Sequence, residues 1–379
     1  MRGKAATAAR ALRAGGVAGL ASVFRRKLLD LHGDSTRALR SSTRRVMEFG
    51  VRPHLLRGRV THLYGPTRLD YAPDELLVIT VVRNGALYVR SFLEHYRELG
   101  VRHCVFLDNC STDDTIDRLC AHADVTVLQT DAPYEKFENT MKRYLAERFS
   151  AHKWNLCADI DELFDYPRAR ELPLAGFLQY LNERRFTAVV AQMLDFFSEL
   201  PLGDVESRPD DRLKDRYTYY DISAIDKHPY EWSDPPRPEV AMHRGGIRRA
   251  AFGTYNGLTK AALVLMDGKV KPFVEWHQAA GAAVADVTGV LMHYPFVSTF
   301  PEKVEDAVRT GRYGATTTNE YVGYRTALAR NPRLSLKGPS ARRFSGLEPL
   351  IAAGFLVVSD DYVRWVHDHT RDPVRQTRE

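Results

Sequence analysis

Three carboxylates within four residues end an apolar run: Leu156-Cys157-Ala158 leads into Asp159-Ile160-Asp161-Glu162. A buried strand cannot carry unpaired charge into a core, so the run has to emerge at an edge or mouth there. In extended chain the side chains alternate, so Asp159 and Asp161 face the same side. Two carboxylates so close repel each other unless a cation sits between them. A divalent ion answers this, because hard oxygen ligands suit Mg²⁺ or Mn²⁺, which keep positions open for phosphate oxygens. A lone Asp-x-Asp also arises by chance at a solvated strand end. The weight of the metal reading therefore rests on what precedes it.

What precedes it is a run of β-α units. Leu76–Val82 is a continuous apolar, β-branched stretch of the kind buried on both faces of a parallel sheet. A polar break follows at Arg83-Asn84-Gly85. Val89, Phe92, Leu93, Tyr96 and Leu99 then mark one helical face, which Gly100 ends. Cys104–Leu107 and Val125–Leu128 read as further strands, separated by a helix that Ser111-Thr112-Asp113-Asp114 would cap. Phe137, Met141, Tyr144, Leu145 and Phe149 give a longer helix before the strand Trp154–Ala158. Repeats of this length predict an α/β fold, an open and mostly parallel sheet flanked by helices. Ligands of such sheets bind outside the carboxyl ends of the strands. Arg83-Asn84, Asp108-Asn109 and Asp159-Ile160-Asp161 all fall at such ends, so the topology draws them towards one crevice.

Further along, Leu174, Phe177, Leu178 and Leu181 predict a helix, and Ala188–Leu194 a strand ending at Asp195. Residues 199–240 read as a long irregular stretch rich in proline and aromatic residues, a functional or mobile segment. Gly245-Gly246-Ile247-Arg248-Arg249 and Leu258-Thr259-Lys260 bring cations, and His277 and His293 follow. From Phe300 onward the pattern is helical. Residues 51–73 read as a linker or irregular lead-in.

Charge is unevenly placed. The chain has 379 residues and a net charge of +6. Residues 1–50 hold eleven Lys/Arg against three Asp/Glu, a net of +8, so the rest carries −2. The basic balance thus gives no reason to expect a nucleic-acid-binding body. Val17, Leu20, Phe24, Leu28 and Leu31 recur at helical steps beside Arg25-Arg26-Lys27. That segment suits either adsorption to an anionic membrane surface or a solvated tail. No small-residue cleavage site clearly follows its apolar part, which disfavours a secretory signal; an Arg-rich transit peptide remains open. No run reaches the roughly 18 apolar residues of a membrane span. The four cysteines, Cys104, Cys110, Cys120 and Cys157, make no Cys-x-x-Cys pair and fit reduced thiols in a cytoplasmic setting, with a peripheral position at the inner membrane face the one elaboration the basic segment suggests.

The stretch Leu107-Asp108-Asn109-Cys110-Ser111-Thr112-Asp113-Asp114-Thr115, about 50 residues before the Asp-x-Asp, resembles the D-[DN]-x-S-x-D-x-T signature of family 2 glycosyltransferases. Val82-Arg83-Asn84, Phe92-Leu93-Glu94-His95-Tyr96, Asp159-Ile160-Asp161-Glu162, Gly245-Gly246-Ile247-Arg248-Arg249, Leu258-Thr259-Lys260 and Leu291-Met292-His293-Tyr294 are similar to the bacterial branch with a D-x-D-E motif. The resemblance covers roughly residues 75–300. One departure is Gly85, where the branch often has an acid after the asparagine. The resemblance implies a GT-A fold over 74–298, with a nucleotide-sugar half at 74–195 and an acceptor half at 196–298. A basic segment and linker (1–73) would precede it and a helical extension (299–379) follow. It implies metal-dependent transfer of a sugar from a nucleotide-sugar donor to a glycan or other hydroxyl acceptor, with inversion. Asp159, Asp161 and His293 would hold the metal, and Asp108 the nucleoside. Arg83, Asn84 and Asn109 would line the donor site, with Arg248, Arg249 and Lys260 on its phosphates. Inversion needs a base near the acceptor hydroxyl; Asp195 is the first candidate, with Glu275 and Asp221 behind it. Two other readings compete: a nucleotidyltransferase, for which Arg83-Asn84-Gly85 is a poor phosphate loop, and a nucleic-acid-binding protein using the basic N-terminus.

Overall fold

In a computed structural model of the chain, residues 47–274 and 277–370 are described. The basic segment up to residue 46, Glu275, Trp276 and the last nine residues lie outside them. The chain forms two compact units, split between Arg57 and Gly58. The described part of the first is two short helical turns, Met47–Val51 and Arg52–Arg57, tied by an Arg52–Glu48 ion pair.

The second unit is built on one large sheet. Its main strands, in chain order, are β1 (Val60–Tyr64), β2 (Leu77–Val82), β3 (His103–Asp108), β4 (Val125–Thr130), β5 (Trp154–Cys157), β6 (Glu162–Asp165), β7 (Ala188–Phe197), β8 (Thr259–Leu265) and β9 (Gly289–His293). They lie in the order β1-β4-β3-β2-β5-β8-β7-β9-β6. β4, β3, β2 and β5 are mutually parallel, as are β7 and β9, while β1, β8 and β6 run against their neighbours. This is the mostly parallel, open α/β sheet that the repeats predict. After β4 the chain crosses back over β3 and β2 to place β5 on the far side of β2. A crevice opens at such a reversal, outside the carboxyl ends of the two strands. Here those ends carry Arg83-Asn84 and the acidic motif.

Every residue of β2 and β3 is buried, as the apolar run of β2 and the apolar Cys104–Leu107 of β3 require. Helices α1 (Val89–Leu99), α2 (Thr115–Cys120), α3 (Tyr134–Phe149) and α4 (Leu174–Glu183) cover the sheet. α1 turns Val89, Phe92, Leu93 and Tyr96 inward and ends where Gly100 takes a left-handed φ of 91°. All four cysteines are unpaired, with Cys104 and Cys157 buried. No helix among the described residues is long and apolar enough to cross a membrane.

Three segments depart from expectation. Residues 60–64, expected as irregular lead-in, form edge strand β1, whose exposed face removes the apolar run that would announce it. Lys260, expected on donor phosphates, lies inside β8, between β5 and β7. The stretch 199–240 is less irregular than its prolines suggest. It contains a short helix, Leu213–Arg216, and one arm of a hairpin pairing Ile225–Pro229 with Ala241–Gly245. That hairpin ends at Gly245 (φ 94°), where a Cβ would lie 2.6 Å from the Ala224 carbonyl. Only glycine makes this turn, which delivers α5 (Ile247–Phe252) and with it Arg248.

Beyond β9 come α6 (Phe300–Thr310) and α7 (Gly314–Arg330), the expected helical portion. The chain then returns to the body. Arg342-Arg343 pairs with Tyr219-Tyr220, and α8 (Asp360–Thr370) packs Tyr362 and Trp365 against Tyr180 of α4.

Candidate active site

The loops after β2 and β3 are knitted by the Asp108–Thr115 stretch. Asn84 sits at φ 53°, its backbone N–H donating to Ser111 Oγ (2.8 Å) and its Oδ1 accepting from the Thr112 N–H (2.8 Å). Arg83 donates to the Asn109 carbonyl (2.9 Å), and Asn109 Nδ2 donates to the carbonyls of Thr130 and Ala132. Asp113 accepts from the Ala86 N–H and from Thr115. Asp108 is wholly buried and accepts from the Ser111 N–H (3.0 Å) and Gln129 Nε2 (3.0 Å). It braces the loop from beneath. The structure does not bring Asp108 to the cavity wall; Asn109 and Asp113 are the residues of this stretch that reach it.

At the end of β5 the acidic motif forms a closed turn. The Asp159 N–H donates to Glu162 Oε2 (2.7 Å), and the Glu162 N–H returns to the Asp159 carbonyl (2.9 Å). Two buried lysines then neutralise it. Lys260, fully buried in β8, reaches Glu162 Oε2 at 2.7 Å and Asp159 Oδ2 at 3.5 Å. Lys142, from the buried face of α3, lies 3.4 Å from Asp159 Oδ1. Burial alone would raise the Asp159 carboxyl, but the two lysines outweigh it and hold it well below the usual range. The cation that paired carboxylates demand is thus supplied to Asp159 by the fold itself. Lys260, expected on donor phosphates, is spent here and does not reach the cavity wall.

Asp161 faces the other way. Its Oδ2 lies 3.4 Å from Lys303 Nζ, on α6, and 3.5 Å from His293 Nε2, at the end of β9. His293 Nδ1 is 2.6 Å from Asp195 Oδ1. Asp195 is held in turn by Arg248, with Nε to Oδ2 at 2.8 Å and a terminal nitrogen to Oδ1 at 2.7 Å. Burial would raise the Asp195 carboxyl, yet Arg248 and His293 bring it down to about 2. Burial would lower His293, yet Asp161 and Asp195 push it up to about 9. A carboxylate so committed is a poor proton acceptor, and Asp195 does not line the cavity. It orients a histidine instead, which corrects its expected place as the first-choice base.

These groups surround a cavity of about 580 Å³. One wall holds Arg83, Asn84, Asn109 and Asp113, the floor Asp159, Asp161, Arg248 and His293. The opposite wall comes from α6, α7 and the turn between them: Lys303, Arg312, Tyr313, Glu320, Tyr321 and Tyr324. Tyr313 and Tyr321 stack with ring centres 5.3 Å apart. Arg249, expected on phosphates, is exposed and pairs with Asp226 at 2.5 Å. Asp221 accepts from the Ser223 N–H and Ser340 Oγ away from the cavity. Glu275 lies outside the described residues. Lys142, Lys303, Glu320 and the two tyrosines were not singled out in the sequence. Lys142 carries a readable signal: it adjoins Met141 on the inward face of α3, where a lysine needs a carboxylate.

The divalent ion implied by the resemblance can be tested against this donor set. Asp161 and His293 present an oxygen and a nitrogen towards each other across 3.5 Å at the cavity floor. Asp195 fixes the far ring nitrogen, the usual support of a metal-bound histidine. Mg²⁺ and Mn²⁺ take one or two protein groups and complete their shells with water and phosphate oxygens. The pair fits. Asp159, turned to its lysines, does not extend it, and no group of three His, Cys, Asp or Glu among the described residues gathers as a metal site.

No protein-family model and no curated protein matches the sequence. A solved structure of a 4-diphosphocytidyl-2C-methyl-D-erythritol synthase aligns with 52% of this chain and 77% of its own, at 10% identity and a TM-score of 0.25. A likeness that weak carries no function across.

Proposed function

We propose that the chain is a glycosyltransferase that moves a sugar from a nucleoside-diphosphate donor to a hydroxyl acceptor. One observation carries the reading. The carboxyl ends of β2, β3 and β5 meet at a topological reversal, in a cavity whose floor holds Asp161, His293 and Arg248 and whose walls hold Arg83, Lys303 and Arg312. Its volume lies within the roughly 300–1,000 Å³ of small-molecule sites.

Roles for the chain's own residues follow from their positions. The Arg83–Asn84 turn, Asn109 and Asp113 offer polar groups to a nucleoside. Lys303, which faces Asp161, and Arg312, which pairs with Asp306, both line the cavity, and a charge-assisted hydrogen bond from either to a diphosphate favours its departure. Asp161 and His293 would hold a divalent ion, which stabilises charge on the leaving diphosphate as a Lewis acid. Asp195 and Arg248 keep His293 in one orientation. Lys142 and Lys260 keep Asp159 ionised and the turn closed.

The test is a panel of nucleotide sugars, with and without Mn²⁺, on the wild type and on Asp161→Asn. We expect one donor to bind by calorimetry and to release nucleoside diphosphate in a metal-dependent way. Turnover should fall by at least about 10²-fold in the variant, the scale of losing one preorganised electrostatic contact. Release of inorganic pyrophosphate instead would favour the nucleotidyltransferase reading. No nucleotide sugar bound in the presence of metal would overturn the proposal.

A further inference from the structure

Transfer to a hydroxyl needs a group to take the hydroxyl's proton, and the expected carboxylates do not supply it. Asp195 is locked by Arg248, and Asp221 lies away from the cavity. The acids that line the cavity can be sorted by what each already does. Asp113 accepts from the Ala86 N–H and from Thr115, Asp159 faces Lys142 and Lys260, Asp161 faces His293 and Lys303, and Asp306 pairs with Arg309 and Arg312. Glu302 is exposed to water. Glu320 is different. It lines the cavity from α7, is partly buried, and has no cation within ion-pair distance among the described residues.

What holds Glu320 is neutral. Its Oε2 accepts from Asn256 Nδ2 at 2.6 Å, and Asn256 is itself oriented by Thr254 Oγ1, which donates to its Oδ1 at 2.7 Å. The nearby charged or titratable groups are Arg248, on the cavity floor, and Tyr324, whose hydroxyl also receives Asn256 Nδ2 at 3.2 Å. A carboxylate fixed through one oxygen by an amide keeps the other oxygen for a ligand. Burial raises its proton affinity, partly offset by Arg248 and the Asn256 hydrogen bond. That is the direction a base working near neutrality needs.

Resting on the transferase reading, we infer that Glu320 is the general base for the acceptor. The acceptor oxygen forms a bond to the anomeric carbon while the bond from that carbon to the diphosphate oxygen breaks. The diphosphate leaves with the electron pair, and the hydroxyl proton passes to the free oxygen of Glu320 and then to solvent. The substrate side of α6–α7 therefore receives a hydroxylated acceptor, with the stacked Tyr313 and Tyr321 as its apolar wall.

The test compares wild type with Glu320→Gln and Glu320→Asp, using the donor found by the panel and either water or simple glycans as acceptor. Donor affinity is followed by calorimetry and release of nucleoside diphosphate by a coupled assay. Glu320→Gln should keep the donor dissociation constant within about threefold and lose about 10²- to 10⁴-fold in kcat. The acid limb of its pH–rate profile should vanish, and Glu320→Asp should recover part of the rate. A Gln variant within about threefold of the wild-type rate overturns the assignment. So does one that loses donor binding along with rate, which marks a structural role. A wild type that binds a nucleotide sugar but never turns it over also overturns Glu320 as base and leaves the donor site standing. A wild type that binds none defeats the transferase reading, and this assignment with it.

Discussion

The two walls of the cavity are built in opposite ways. On the β2–β3 side every strand residue is buried, and the loops are pinned by hydrogen bonds from side chain to backbone. On the α6–α7 side, the seventeen-residue α7 buries only Tyr324, and its contribution to the cavity is made by side chains. The first wall is shaped by the core and the second is laid against it. A rigid wall suits the part of a substrate that must be held in one pose, and a lightly packed one suits a part that varies or must enter and leave.

The largest expected effect lies under the rigid wall. Lys260→Met leaves Glu162 and Asp159 short of their buried cation and should cost about 3–5 kcal/mol, read as a lowered midpoint in urea unfolding. A variant as stable as wild type would mean that Lys142 alone neutralises the motif. Acid comes next. His95 and His243 are buried in this unit, and burial lowers them to about 3 and about 4, with Lys214 and Lys227 respectively adding to the effect. Both are depressed below their unfolded value near 6.5. The stability they hold is therefore complete above pH 6.5 and falls as the pH drops through the window down to about 4. The loss should be on the order of 2–3 kcal/mol for each histidine by pH 4.5. Replacing both with Gln should flatten that limb.

Asp195→Asn sharpens the comparison at the floor. It breaks the ion pair with Arg248 and frees His293, and should weaken Mn²⁺ binding, measured with nucleoside diphosphate present, by about 10- to 100-fold. The smallest effect on stability belongs to the other wall. Tyr321→Ala removes one ring of the stacked pair, forfeiting at most about 1.5 kcal/mol of stacking beyond the area it buries, while raising the KM for acceptor more than for donor. Equal effects on the two substrates would dissolve the division between the walls.

The rigid wall was largely readable from sequence because its signals are local. Leu77–Val82 is an unbroken apolar run, and the polar breaks at Arg83 and Asp159 mark strand ends that topology must bring together. The misreadings share one cause, a partner distant in the chain. Asp195 looks like an open base until Arg248, 53 residues on, closes over it. Lys260 looks like a phosphate ligand until β8 carries it between β5 and β7 to Glu162. Asp108 looks like a ligand contact until Gln129 claims it from β4. Nothing in local periodicity reports such pairings. Edge strand β1 is hidden in the sequence for a different reason: its exposed face admits polar residues, so no run marks it.

The lysine pair beneath the acidic turn also bears on how the chain matures. Lys142 arrives from α3, before the motif, and Lys260 from β8, 98 residues after Glu162. A nascent or partly folded chain that has made β2 to β5 but not β8 carries Glu162 without its counter-charge and leaves Asp159 with Lys142 alone. Contacts so far apart in the chain form late. Ligand affinity at this site is thus a test of complete assembly, and a bound donor adds its binding energy only to finished molecules.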